Sequence, residues 1–186
     1  MRGAIFLDRD GVINHPPTKR YVTRWSEFRF LPGTLRALRR LNGDGRKVVI
    51  LSNQAAVGRG IMPRSQLELI TRRMLAAIRR AGGRVDAVYY CTHIPETRCG
   101  CRKPKTGLIR RACRQHRIDP GRSFLVGDNA TDVVMGHAAG CRTVLVLSGV
   151  STRRDARAME DRPDRVARDL PAALTWILRQ SKGRSS

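Results

Sequence analysis

The sequence predicts an α/β fold with a mostly parallel sheet, and three features of the chain predict it. Short runs of β-type residues recur along the chain, segments with helical spacing lie between them, and polar residues follow directly after most of the runs. Because strand and helix alternate, successive strands are expected to run parallel, with helices on both faces of the sheet. A chain of 186 residues suits one such domain.

Five strands are predicted from the β-type runs. They are 4–7, 47–51, 87–91, 123–126 and 143–147. Between the strands, two segments place apolar residues on one helical face: Leu35, Leu38 and Leu41 in the first, and Leu67, Ile70, Met74 and Ile78 in the second. The alternation therefore predicts a single Rossmann-like domain.

The ends of the predicted helices are marked by glycine and by one acidic residue. Gly82 and Gly83 end the second helix, and Asp169 is a candidate cap for a closing helix in "LPAALTWILRQ". We expect the domain to cover residues 1–180 and residues 181–186 to form a disordered tail. The Arg-rich stretch 151–168 is predicted to be either a helix or a long surface loop.

Basic residues dominate the composition. Lys and Arg number 37 against 15 Asp and Glu, which gives a net charge of +22. Such a surplus indicates attraction to phosphate-bearing partners or to nucleic acid, although a solvated Arg-rich surface would give the same composition. The chain has no aromatic-rich strand for stacking bases and no recognised nucleic-acid-binding motif. Nucleic-acid binding is therefore the weaker interpretation.

The apolar runs are too short for a membrane span. None reaches the roughly twenty apolar residues that cross a bilayer, and the amino terminus leads into the charged "DRDG" without a signal-peptide core. We expect a cytoplasmic protein without a membrane partner.

Polar residues fall where the predicted strands end. Asp8 and Asp10 follow the first strand, Ser52 and Asn53 the second, and Asp128 the fourth. In open parallel sheets ligands bind outside the carboxyl ends of the strands, so these residues are expected to converge. Since Asp8 and Asp10 are two positions apart on an extended backbone, both should point to one side while the intervening arginine points away. A lone Asp-x-Asp-Gly is more often a turn, but several such strand ends in order favour a site.

A cluster of carboxylates of this kind needs a counter-charge. Asp8, Asp10 and Asp128 would repel one another without a hard cation, and oxygen ligands favour Mg²⁺. Magnesium would also reduce the repulsion between a carboxylate and an incoming phosphate group. The Ser52 hydroxyl can donate to phosphoryl oxygens, and Lys103 is the candidate for balancing the remaining charge.

The segment "CTHIPETRCGC" carries a second group of candidate ligands. They are Cys91, His93, Cys99 and Cys101. Three thiolates and one imidazole form a full tetrahedral set for Zn²⁺ with no open position, so the zinc would be structural. A buried cysteine cluster and a redox pair are the alternatives, and the loop-like residues between the ligands favour zinc. Cys113 and Cys141 are expected to be ordinary core residues.

The motifs "FLDRDG", "ILSNQ", "CRKPK" and "VGDNATD" resemble, in order, the four signatures of the haloacid dehalogenase phosphatase superfamily. The resemblance implies that Asp8 attacks phosphorus and that Asp10 is the general acid and base. It also implies that Mg²⁺ is held by Asp8, Asp128 and the backbone carbonyl of Asp10. Ser52, Asn53 and Lys103 would bind the transferring phosphoryl group.

The cysteine and histidine ligands fused to "CRKPK" resemble a narrower branch, the D-glycero-D-manno-heptose 1,7-bisphosphate phosphatases and the related histidinol-phosphate phosphatases. The segment "SNQAAVGRG" is similar to the heptose enzymes, so the expected substrate is a small-molecule sugar phosphate of lipopolysaccharide-core or nucleotide-activated heptose biosynthesis. Arg102 and Arg59 are the candidates for binding its second phosphate. Hydrolysis of histidinol phosphate is the alternative, and a DNA-end phosphatase or nucleic-acid-binding protein is the alternative of another class. A monomer is expected.

Overall fold

A parallel sheet forms the centre of the molecule. The computed structural model describes residues 1–17 and 21–182, and within them the sheet has six strands. In chain order they are β1 (Ala4–Leu7), β2 (Lys47–Asn53), β3 (Ala87–Cys91), β4 (Phe124–Gly127), β5 (Arg142–Val146) and β6 (Arg165–Ala167). The first five confirm the predicted strands, with small displacements at their ends, and the α/β fold class is confirmed with them.

Helices connect the strands. Within the described part of the chain the α-helices are α1 (Thr34–Arg39), α2 (Ala55–Gly58), α3 (Arg64–Arg80), α4 (Gly107–His116), α5 (Ala130–Ala138), α6 (Arg153–Ala158) and α7 (Leu170–Lys182). Single 3₁₀ turns lie at Trp25–Glu27, Pro95–Thr97 and Pro120–Arg122. The apolar spacing of the second predicted helix is confirmed in α3, where all four expected residues are buried. Gly82 follows α3 with φ of 78°, a left-handed conformation that is common at helix ends and that glycine adopts most easily.

The helices cover both faces of the sheet. Ile5 and Leu7 of β1 pack with apolar residues of α1, α3 and α7, whereas Ala4 and Phe6 pack with those of α4 and α5. The alternation follows from strand geometry, since successive side chains point to opposite faces. All four residues are fully buried, as expected for a parallel strand covered on both sides. Cys141 is buried in the second of these cores and Cys113 packs against it, in agreement with their predicted role.

The order of the strands fixes where a ligand can bind. The sheet reads β3-β2-β1-β4-β5-β6, and every neighbouring pair is parallel. The chain therefore runs outward from β1 in one direction and then returns to β4 to run outward in the other. Such a reversal opens a crevice between the two strands at their carboxyl ends. Asp8, after β1, and Asp128, after β4, lie on either side of it.

The Arg-rich stretch 151–168 is neither one helix nor one loop. It contains α6 and then β6, whose Val166 pairs with Leu145 at the edge of the sheet. Asp169 caps α7 as predicted, because its carboxylate accepts from the Ala172 amide at 2.9 Å. Helix α7 runs to Lys182, and from residue 183 the predicted tail lies outside the described residues. Among the helices of the described chain, none combines the length and apolarity needed to cross a membrane.

Candidate active site

Six of the predicted site residues line one cavity of about 200 Å³ at the switch between β1 and β4. They are Asp8, Asp10, Ser52, Asn53, Lys103 and Asp128. Arg59 and Arg102 are not among its lining residues. The sheet topology thus brings together side chains from four separate segments of the chain.

Three carboxylates meet in this cavity. Asp8, Asp128 and Asp132 each offer an oxygen, and these oxygens lie within 4.8 Å of one another. We call these residues the carboxylate cluster. All three are buried, and burial together with mutual repulsion raises the pKa of Asp128 to about 7. Burial also raises the pKa of Asp8 to about 6, with Lys103 acting in the opposite direction. The cluster therefore needs a cation.

Lys103 is the cation that the chain itself supplies. Its Nζ lies 2.7 Å from Asp132 Oδ1, with hydrogen-bond geometry, and forms an ion pair at 2.9 Å with Asp8 Oδ1. Burial alone would lower the pKa of this ammonium, but the two carboxylates outweigh it and raise the pKa above its ordinary value. Lys103 is therefore charged at neutral pH and joins two members of the cluster.

The carboxylate cluster also fits Mg²⁺. Its potential ligands are all oxygen, and Asp132 Oδ2 is buried without a hydrogen-bond partner in the described residues. Magnesium is usually bound by one or two carboxylates together with waters and substrate phosphate, so this set suffices. Asp10, whose backbone carbonyl was expected to be a further ligand, contributes no side-chain oxygen to the cluster.

Two glycines make room for the Asp128 carboxylate. A Cβ at Gly11 or Gly149 would overlap with it, and Gly11 has φ of 81°. The carboxylate accepts from the Val150 amide at 2.9 Å, which fixes its orientation. The glycine in "DRDG" thus serves the carboxylate of a distant motif as well as its own turn.

Asp10 belongs to a second set of contacts, apart from the carboxylate cluster. Its carboxylate accepts from Arg9, from Asn14 Nδ2 at 2.8 Å and from Gln54 Nε2 at 3.0 Å. Burial alone would raise the pKa of Asp10, but Arg9 and these hydrogen bonds outweigh it and hold the pKa below its ordinary value. The prediction that the arginine between the two aspartates points away is wrong for its guanidinium, which is fully buried and returns to Asp10.

Ser52 and Asn53 are fixed by neighbours in the same cavity. The Ser52 hydroxyl accepts from Gln54 Nε2 at 3.0 Å. Asn53 Oδ1 accepts from the Lys103 amide at 3.2 Å, and Asn53 Nδ2 lies 3.5 Å from the Lys103 carbonyl. Asn53, at the end of β2, therefore holds the backbone of Lys103 in place.

The predicted zinc ligands converge at the end of β3. The distances between adjacent ligand atoms range from 3.3 to 3.7 Å. Cys101 Sγ lies 3.3 Å from Cys91 Sγ, and Cys91 Sγ lies 3.7 Å from His93 Nδ1. A tetrahedron with Zn–S distances of about 2.3 Å has edges of about 3.8 Å, so the spacing fits structural zinc. We call Cys91, His93, Cys99 and Cys101 the cysteine clasp. The structure is compatible with the zinc prediction.

The cysteine clasp leads directly into the cationic segment. Arg102 follows it, is half-buried, and directs Nη1 towards the His93 carbonyl at 3.4 Å. Arg59 contacts the same loop through an ion pair with Glu96 at 3.2 Å. Both predicted arginines therefore contact the loop that the clasp closes.

Two residues at the site were missed from the sequence: one lines the cavity, and the other hydrogen-bonds to Asp10 and Ser52. Asp132 is the last residue of "VGDNATD", and Gln54 is the last residue of "ILSNQ". Both lie inside motifs that were already recognised, so their polar character was a usable signal. Their partners could not be read from the chain, because Lys103 and Asp10 are brought to them only by the sheet topology.

A second and larger cavity, of about 850 Å³, adjoins the first. Pro16 and Pro17 line both of them, and Tyr21, Arg29 and Phe30 line the second. A molecule bound at the carboxylate cluster could therefore extend past the two prolines into a space with apolar and aromatic walls and with one charge of each sign, Arg29 and Glu27.

Comparison with known proteins gives concordant matches. A family model described as HAD-hydrolase-like matches residues 100–173. A D-glycero-beta-D-manno-heptose-1,7-bisphosphate 7-phosphatase from Pasteurella multocida is 35% identical over 184 residues, covering 95% of this chain and 99% of that protein. A D-glycero-alpha-D-manno-heptose-1,7-bisphosphate 7-phosphatase from Mycobacterium bovis is 36% identical over 162 residues, covering 84% and 85%. The crystal structure of D,D-heptose 1,7-bisphosphate phosphatase from B. bronchiseptica, complexed with magnesium and phosphate, matches with a TM-score of 0.87 at 35% identity, covering 97% and 99%.

Proposed function

The chain belongs to the haloacid dehalogenase-like hydrolases, in the family of the heptose 1,7-bisphosphate 7-phosphatases, and we propose that it removes the 7-phosphate of D-glycero-D-manno-heptose 1,7-bisphosphate. The observation that carries the proposal is the Lys103 ammonium between Asp8 and Asp132, in the cavity that Asp128 also lines. This arrangement supplies a carboxylate nucleophile, a fixed cation and a site for Mg²⁺ in one cavity.

Hydrolysis proceeds in two displacements. A carboxylate oxygen of Asp8 attacks phosphorus and the bond from phosphorus to the heptose C7 oxygen breaks, which leaves an aspartyl-phosphate. Asp10 is ionised in the free protein, because Arg9 and its hydrogen bonds hold its pKa low, so it takes up a proton as the phosphate dianion enters the cavity. It gives that proton to the departing oxygen and then takes a proton from the water that hydrolyses the aspartyl-phosphate. Ser52, Asn53 and Lys103 bind the oxygens of the transferring group.

The carboxylate cluster would hold Mg²⁺. Bound there, the ion would neutralise charge on the phosphate dianion. Zinc in the cysteine clasp would have no open coordination position, so its part is to fix the loop that carries Arg102 and Lys103.

The anomeric phosphate needs its own cationic contact. Arg102 and Arg59 remain the proposed ligands, and the larger cavity next to the cluster has room for the sugar between the two phosphates. The relative named for the beta anomer and the relative named for the alpha anomer have nearly the same sequence identity to the chain, 35% and 36%, so both anomers are candidate substrates. We further propose a cytoplasmic monomer that does not use nucleic acid.

The test is a phosphate-release assay with Mg²⁺ over both heptose anomers, histidinol phosphate, a nucleotide and 5′-phosphorylated DNA. The heptose 1,7-bisphosphate should have the highest kcat/KM, and the product should retain the anomeric phosphate. Asp8→Asn, purified in parallel, controls for contaminating phosphatases and should lose at least about 10³-fold in kcat. Faster turnover of histidinol phosphate or DNA would replace the proposed substrate, and an active Asp8→Asn protein would overturn the nucleophile.

A further inference from the structure

Arg9 is a charged residue in the interior. It follows β1 directly, its guanidinium has no exposure to solvent, and it ranks among the largest fully buried side chains of the described residues. A buried charge is strongly unfavourable unless it is paired and hydrogen-bonded. The cost of burying this arginine implies that its partner matters.

The partner is the carboxylate of Asp10. Arg9 Nη2 lies 2.9 Å from Asp10 Oδ2 and 3.0 Å from Oδ1, and Arg9 Nε lies 3.3 Å from Oδ1. The planar guanidinium thus contacts both oxygens, which fixes the rotation of the carboxylate as well as its position. A single point charge such as a lysine ammonium would not fix this rotation.

Two amides complete the surroundings of the Asp10 carboxylate. Asn14 donates to Oδ1 and Gln54 donates to Oδ2. Gln54 is itself tied to Ser52, a proposed phosphate ligand. The orientation of Asp10 is therefore set relative to the place where the phosphoryl group binds.

The two buried cations divide the carboxylates of the cavity between them. Lys103 pairs with Asp8 and Asp132, whereas Arg9 pairs with Asp10. Without Arg9, only the neutral amides of Asn14 and Gln54 would hold the Asp10 carboxylate. Arg9 is therefore the one charged group that pairs with the proposed acid/base residue among the ion pairs of the described residues.

We propose that Arg9 is a positioning residue that holds the Asp10 carboxylate in the orientation needed for proton transfer to the leaving oxygen. The inference rests on the proposed role of Asp10. Small displacements of a catalytic group cost up to about 10²-fold in rate, and general acid catalysis contributes roughly 10²- to 10⁴-fold. The effect should depend on the leaving group, because a phenolate with an electron-withdrawing substituent departs without protonation.

The experiment compares kcat/KM for the heptose bisphosphate and for p-nitrophenyl phosphate, with Mg²⁺ present. This constant covers the steps through departure of the leaving group and excludes the later hydrolysis, which both substrates share. Arg9→Met should lose about 10- to 100-fold on the sugar phosphate and less than about threefold on the aryl phosphate. Arg9→Lys, which keeps the buried charge, should show the same selectivity with a smaller loss and carries the test if Arg9→Met does not fold.

Arg142→Met is the matched control. Arg142 packs over Phe124 at 5.2 Å and Trp176 at 4.7 Å, in β5 and away from the cavity, so its loss should change neither constant by more than about threefold. Asp10→Asn separates the two levels of the argument. Asp10→Asn is expected to lose more activity on the sugar phosphate than on the aryl phosphate. If it does, but the Arg9 variants lose activity equally on both substrates, the positioning role is overturned. If Asp10→Asn also loses equally on both, the proposed role of Asp10 and the inference fall together.

Discussion

The carboxylate cluster and the cysteine clasp are two polar groups that the same fold builds in opposite ways. The clasp comes from one short segment, and its four ligand atoms are near one another because they are near in sequence. The cluster comes from residues after β1 and after β4, which only the reversal of strand order brings together. The clasp therefore depends on local sequence, whereas the carboxylate cluster depends on the topology of the sheet.

Lys103 is where the two regions meet. Its backbone lies two residues after the end of the clasp and is held by Asn53, while its Nζ lies in the carboxylate cluster. The locally folded clasp thus positions the end of a side chain in a site formed by the whole sheet. This coupling can be broken on either side, and the expected effects differ in size.

Removing the shared cation should have the largest effect. Lys103→Met leaves Asp8 and Asp132 without their counter-charge and removes a proposed ligand of the phosphoryl group, so kcat should fall by roughly 10²- to 10³-fold. Lys105→Met is the matched control, because Lys105 is exposed and contacts only the Arg98 carbonyl among the described hydrogen bonds. Equal activity of the two variants in steady-state assays would show that the ammonium is not part of the site.

Breaking the clasp should act on both regions at once but less severely. Cys99→Ser removes one of the four proposed zinc ligands, so zinc content should fall below about one ion per chain and Tm should fall by more than about 5 °C. Activity should fall about tenfold, because the loop that carries Lys103 loses its anchor. Metal analysis, thermal melting and kinetics check the three effects.

Cys113→Ser is the matched control for that variant. Cys113 is half-buried and packs against the core but is not part of the clasp. It should change neither zinc content nor activity. Active, fully folded wild-type protein without zinc would contradict the metal assignment of the clasp altogether.

The two regions also differ in how far the sequence could predict them. All four clasp ligands could be named from their spacing. In the carboxylate cluster, Asp8 and Asp128 could be named because each follows a strong apolar strand, whereas the role of Asp132 depends on Lys103, which a distant segment supplies. Strand alternation predicts that Arg9 turns away from the site. The prediction failed for the guanidinium because alternation does not reveal that a buried guanidinium must pair with a carboxylate.

The fold shows the same division between strong and weak local signals. The five predicted strands have apolar runs long enough to be recognised, and α3 has a full apolar stripe. Strand β6 was missed because it has three residues inside an Arg-rich stretch, and its identity comes from pairing with β5. Local pattern could not separate it from a loop.

Arg102→Ala tests whether the clasp also serves the second phosphate. A bidentate contact to a phosphate that does not react contributes about 1.5–3 kcal/mol, or roughly ten- to a hundredfold in kcat/KM. The loss should appear with the heptose bisphosphate and be smaller with a monophosphate such as histidinol phosphate. Arg59→Ala, which removes the ion pair with Glu96 of the same loop, tests the second candidate. An equal loss on both substrates would assign Arg102 to the structure of the loop, where it already contacts the His93 carbonyl.

The smallest expected effect concerns the carboxylate cluster alone and is a matter of pH. Burial raises the pKa of Asp8 to about 6 and that of Asp128 to about 7, both above the ordinary value of 3.8. Protons on these groups therefore stabilise the folded protein fully below about pH 4, and this stabilisation is lost as pH rises through about 6 and 7. Without added Mg²⁺, these groups should lower Tm between pH 5.5 and 8.

Added Mg²⁺ should reverse that loss, because the ion binds the ionised carboxylates and offsets their mutual repulsion in the folded protein. The increase in Tm on adding Mg²⁺ should be about 2–4 °C larger at pH 8 than at pH 5.5. Asp128→Asn should reduce both the pH dependence and the response to Mg²⁺, while zinc content stays unchanged because the clasp is intact. A Mg²⁺ response that is the same at both pH values, or that survives in Asp128→Asn, would place the ion outside the carboxylate cluster.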